Sequence, residues 1–133
     1  MELESLRKRN EDTLNILLKE LKIKITYQEL LEEFTSMFIS TDLTLKRIRL
    51  IGVQNMYDFE ENGNRVKVPN QTKRTQIYVL TKKEFEAMDH VDLNTVMSKL
   101  TFLKNLYYQN LYLKNILDLE NYMEALHSFK YIH

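Results

Sequence analysis

Apolar residues recur along the chain at two different periods. Leu14, Leu17, Leu18 and Leu21 fall at i, i+3, i+4 and i+7, one stripe of a helix over residues 3–22. Glu2 and Glu4 suit the positive end of its dipole. The alternating KIKIT of residues 22–26 is either a short strand or a connector. Thr26 and Glu29 have capping-box spacing and open a second helix, with Leu30, Leu31, Phe34, Met37 and Phe38 as its stripe. The STD run at 40–42 is the next cap signal and predicts a third helix over 42–51, stopped by Gly52.

A period of two follows. VQNMYDF (53–59) reads as a strand, and Asn62-Gly63 is a strong hairpin signal. RVKV (65–68) alternates, PNQTKR (69–74) reads as a polar loop, and TQIYVLT (75–81) is the clearest strand. Thr81 then caps a helix whose first residues are Lys82, Lys83 and Glu84. From about 92 to 131 the chain has no Gly or Pro, which predicts one long helix or two stacked ones. Leu93, Val96, Leu100, Leu103 and Tyr107 keep a coiled-coil spacing there. Phe102, Leu106, Tyr108, Leu111, Tyr112 and Leu113 carry apolar surface around nearly the whole circumference. A helix apolar all round is buried on more than one side. That predicts a homodimer through Leu100, Leu103, Leu106, Tyr107, Leu111, Leu113 and Leu117. The competing expectation is that the N-terminal helix folds back and covers this surface within one chain.

Composition narrows the class. The 133 residues suffice for one core, and 44% apolar with 29% charged residues is a globular balance. Cysteine is absent, which excludes disulfides, Cys-ligated zinc and a thiol nucleophile. MELESLRKRN lacks the apolar core of a signal peptide, and no window approaches eighteen uncharged apolar residues. The expectation is a cytoplasmic protein with no membrane partner. His90, His127 and His133 have no ligand spacing, and MDHVD around His90 fits a cap for the last helix. With two glycines no phosphate-cradling loop is available, and no Ser nucleophile motif is present. The sequence therefore predicts no enzyme, no metal and no cofactor.

Net charge is zero, but its distribution is uneven. Residues 1–41 carry six basic and eight acidic groups, residues 42–83 nine and four, and residues 84–133 four and seven. The middle is thus +5 between ends of −2 and −3, an electrostatic footprint for a polyanion.

The order helix, helix, turn, helix, strands, helix resembles the winged helix-turn-helix fold. The resembling stretches are ITYQELLEEFTSMFISTDLTLKRIRLIG for the helix-turn-helix and RVKVPNQTKRTQIYVLT for the wing. Multiple-antibiotic-resistance-type and PadR-type regulators close in a similar way, as do the staphylococcal accessory regulators. The resemblance covers roughly residues 25–88. It implies an α+β, mostly α fold with a long C-terminal dimerisation helix. The chain then divides into an N-terminal helix (1–24), a winged-helix domain (25–90) and a C-terminal helical segment (91–133), in one compact unit. It also implies a sequence-specific double-stranded DNA-binding protein, a transcriptional repressor or a plasmid or phage partition or replication-control protein. Helix 42–51 would enter the major groove, with Thr41, Thr44, Lys46, Arg47 and Arg49 on DNA. Loop 69–74 would be the wing, with Lys73, Arg74 and Lys67 straddling the backbone or entering the minor groove. On such a helix Leu45, Ile48 and Gly52 share the inner face, while Leu43 and Leu50 point away from it with the basic residues. The alternative is an interaction protein of phage or plasmid origin that binds a host protein through its aromatic C-terminal helix.

Overall fold

The computed structural model describes residues 2–132, and the side chains of residues 2–128. His133 lies outside the described residues. Helix α1, Glu2–Glu20, buries Leu14, Leu17 and Leu18. It ends in a Schellman motif: Lys22 takes a left-handed φ of 57°, Ile23 N–H donates to Leu18 O, and Lys22 N–H donates to Lys19 O. The KIKIT stretch is therefore a connector. Helix α2, Tyr27–Glu33, opens on the capping box of Thr26 and Glu29.

Three strands follow: β1 Phe34–Asp42, β2 Arg47–Phe59 and β3 Arg65–Leu80. They form one antiparallel sheet in the order β1-β2-β3. Asp42 Oδ1 accepts from Leu45 N–H in the first turn, and Lys46 adopts φ 48° there. The second turn is built on Asn62 and on Gly63, whose φ of 87° needs a residue without Cβ. Helix α3, Lys82–Ala87, has a second capping box, Thr81 with Glu84. Helix α4, His90–Ile132, is one helix of 43 residues. Asp89 Oδ1 accepts from Asp92 N–H at its start, as the MDHVD pattern predicts.

The α+β class stands, but the helix-turn-helix does not. The predicted helix 42–51 is the end of β1, a turn and the start of β2. Strand alternation explains why. In β2, Ile48, Leu50 and Gly52 face the helices and are buried. A helix would have turned Leu50 outward; the strand places it at the centre of the core with 0% exposure. The predicted second helix also stops short. Phe34 and Met37 both face the core because a bulge at Thr35 shifts the register between Phe34 and Ser36. Nor is residue range 69–74 a loop: it lies within β3, and the hairpin tip is at residues 60–64. The tip of the β2–β3 hairpin is thus the ENGN turn, and PNQTKR, the expected wing loop, is strand.

The core forms where one sheet face meets α1, α2 and α4, around Leu14, Leu30, Leu50, Leu80, Leu103 and Tyr107. Gly52 lies under Phe34, and a Cβ there would collide with the Phe34 ring and Ile77 Cδ1. Helix α4 runs antiparallel to α1: Lys99 pairs with Glu20 at 3.3 Å, and Asn10 Nδ2 donates to Gln109 Oε1 at 3.1 Å. It also closes the free edge of β1. Tyr107 O–H donates to Phe34 O at 2.7 Å, and the Tyr108 hydroxyl bonds both Met37 N–H and Met37 O at 2.9 Å. Burial pushes the Tyr107 hydroxyl pKa up, so it remains a donor.

Candidate nucleic-acid interface

No described helix packs on the second face of the sheet. Directly opposed residues in antiparallel strands share a face. The register therefore stacks four rows on this side: Asp42 with Arg47; Ser40, Arg49 and Val79; Phe38, Ile51 and Gln76; Ser36, Val53 and Arg74. None of Phe38, Ile51, Val53 and Val79 belongs to the packed core. With strands about 4.8 Å apart and about 3.4 Å per residue, the patch measures roughly 10 by 20 Å.

Its charge is one-sided. Arg47 and Arg49 are half-buried and Arg74 is exposed. None of the three forms an ion pair among the described residues. The Arg47 Nε is buried without a hydrogen-bond partner. Asp42, the one carboxylate in these rows, accepts from Leu45 N–H. Arg74 reaches across the sheet to Phe38, its guanidinium carbon 5.3 Å from the ring centroid. Ile51, on the strand between them, is only 7% exposed. The result is a flat apolar strip carrying a phenyl ring, three permanent cations and the polar groups of Ser36, Ser40 and Gln76.

Of the residues singled out for DNA, Arg47, Arg49 and Arg74 come together here. The others do not join them. Thr41 lies opposite Ile48, on the core-facing side, and Thr44 is in the exposed first turn. Lys46 pairs with Glu86 at 3.3 Å. Lys73 lies opposite Gln54, on the helix side of the sheet, and Lys67 lies opposite Tyr57 far along the hairpin. Arg65 is held by Glu33 through two bonds of 3.2 Å and stacks on Tyr57 at 4.0 Å. That guanidinium keeps the Glu33 carboxyl below the usual carboxylate range.

Phe38 and the two serines were hidden by the helical appearance of FTSMFIST; its β-branched and aromatic content was the available signal. The residues expected at a dimer interface are mostly inside the chain. Leu100, Leu103, Leu106, Tyr107 and Leu113 are buried within it, while Leu111 and Leu117 are half-buried. Folding back of α1 covers much of the α4 surface that a second subunit was expected to cover.

A separate groove lies between α1, α2 and α4. Two cations, Arg7 and Lys114, line it against four carboxylates; Arg7 is bonded to Glu4 at 2.7 Å and to Glu11 at 2.8 Å, and it holds both of these carboxyls below their usual range. Glu32 and Asp118 add further negative charge, so this groove repels anions. Among the described residues no cluster of three His, Asp or Glu side chains could hold a metal ion. No described helix is long and apolar enough to cross a membrane. The chain matches no protein-family model, no curated protein and no solved structure.

Proposed function

We propose that the protein binds single-stranded nucleic acid across the open face of its sheet. The observation that carries this function is the placement of Arg47, Arg49 and Arg74, none of them in an ion pair among the described residues, on one sheet face with Phe38, which Arg74 overlies. Arg47 and Arg49 contact successive phosphates, since residues two apart on a strand are about 6.8 Å apart, close to the spacing of phosphates along a strand. Arg74 leaves Phe38 when a base stacks there, or stacks on that base itself. Ser36, Ser40 and Gln76 bond base edges or sugars. A three-stranded face suits splayed bases better than a duplex, whose major groove admits one helix or a two-stranded ribbon. The double-stranded, helix-led mode implied by the winged-helix resemblance lacks its helix. The present reading keeps from that expectation only a nucleic-acid partner.

The test is a fluorescence-anisotropy titration with a labelled single strand of about twenty nucleotides. Three phosphate contacts at a slope of about −0.7 each give a total slope of about −2. Affinity should therefore fall about twenty-fold between about 50 and about 200 mM salt. The matching duplex should bind more weakly. Absence of binding at low salt, or binding indifferent to salt, would refute the function.

A further inference from the structure

The far end of α4 projects past the start of α1. At 1.5 Å per residue the helix is about 65 Å long, more than twice the length of α1. The contacts of Glu20 with Lys99 and of Asn10 with Gln109 set an antiparallel register that brings the start of α1 beside residues 117–118 of α4. Beyond that point every described residue, 118–128, is exposed. Three or four turns of solitary helix are marginal in water, because their hydrogen bonds do not offset the ordering of the chain.

The sequence of this projection has a seam. Tyr112, Ile116, Leu119, Met123 and Leu126 follow one another at spacings of 4, 3, 4 and 3. That is the heptad period of a left-handed coiled coil, with Ile116 and Met123 at a and the other three at d. Four of the five are exposed, Tyr112 and Met123 to 67% and 60%. The seam ends toward the body at the polar Gln109, which is bonded to Asn10. It lies on a different side of α4 from the buried Leu103, Leu106, Tyr107 and Leu113.

We infer that this seam pairs with the same segment of a second copy of the chain, in a parallel two-stranded coiled coil. A β-branched residue at a with Leu at d favours two parallel strands. Self-pairing in this direction brings no like charges together: position g carries the neutral Asn115, opposite Glu120 at position e of the second copy. An antiparallel pairing centred on Leu119 would instead bring Glu120 near Asp118 and Glu120 of the other copy. The dimer surface is thus the outer seam of residues 112–126, not the buried set around Leu103. Two sheet faces are then carried at one end of a common stalk.

The test is the mass of the full chain by light scattering at tens of micromolar, without nucleic acid. It therefore stands or falls separately from the proposed function. The expected mass is twice the 16.1 kDa of the chain. Leu119→Lys with Leu126→Lys should give the monomer mass, with the thermal transition of the body retained by circular dichroism. Because the chain has no cysteine, Leu126→Cys gives a single thiol, which should form an interchain disulfide on mild oxidation. A monomeric wild type, a dimer that survives the double substitution, or a dimer in which Leu126→Cys fails to cross-link would each overturn the inference.

Discussion

Leu50→Ala is expected to destabilise the chain by about 2–5 kcal/mol, the range for removing a fully buried leucine. Leu45→Ala is expected to change stability by no more than about 0.5 kcal/mol. The two leucines exchange roles between helix and strand. On a helix over 42–51, Leu45 lies on the inner face and Leu50 points away. In the sheet, Leu50 is 0% exposed and Leu45, in the turn, is 53% exposed. Urea denaturation separates the cases. With a slope of about 1–3 kcal/mol/M, Leu50→Ala should lower the midpoint by about 1 M or more, and Leu45→Ala should leave it nearly in place. The reverse order would mean that this segment is helical.

Reversing the charge of the open face with Arg47→Glu, Arg49→Glu and Arg74→Glu together should abolish binding of a single strand. A hydrogen bond to a charged group is worth about 1.5–3 kcal/mol, so the loss of three amounts to at least about 4 kcal/mol, or about a thousand-fold in affinity. The fold should survive, because these side chains lie on the side away from the core and hold no ion pairs. Lys82→Glu with Lys83→Glu, which reverses two exposed cations at the start of α3, serves as a charge-reversal control away from this face and should bind within a few-fold of wild type. Equal binding by the two variants would mean that general charge, not this face, attracts the ligand.

Much of the fold was legible because local signals and tertiary structure agreed. The leucine stripe of α1, the Thr26 capping box, the Thr81 cap, the Asn62-Gly63 turn and the strand through Ile77 and Leu80 all appear where the sequence places them. The failures come from patterns with two meanings. A strand with a bulge at Thr35 puts Phe34 and Met37 on one side, the same three-residue spacing that marks a helix. Gly52 resembles a helix stop, yet its role is to leave room for the Phe34 ring. PNQTKR looks like a loop because β3 is an edge strand, where Pro69 is tolerated beside the register shift between Asn55 and Tyr57. The basic middle of the chain was visible as a sum over residues 42–83. Which of its nine cations stand together depends on cross-strand register, which the sequence does not display.

The most direct measurement is a titration of isotopically labelled protein with the single strand, followed by amide chemical shifts. Perturbations should concentrate on Ser36, Phe38, Arg49, Ile51, Arg74 and Gln76, which share the open face, and spare α1 and the turn at 43–46. Shifts confined to α4 or to the hairpin tip, or none at a saturating strand concentration, would contradict binding at the sheet.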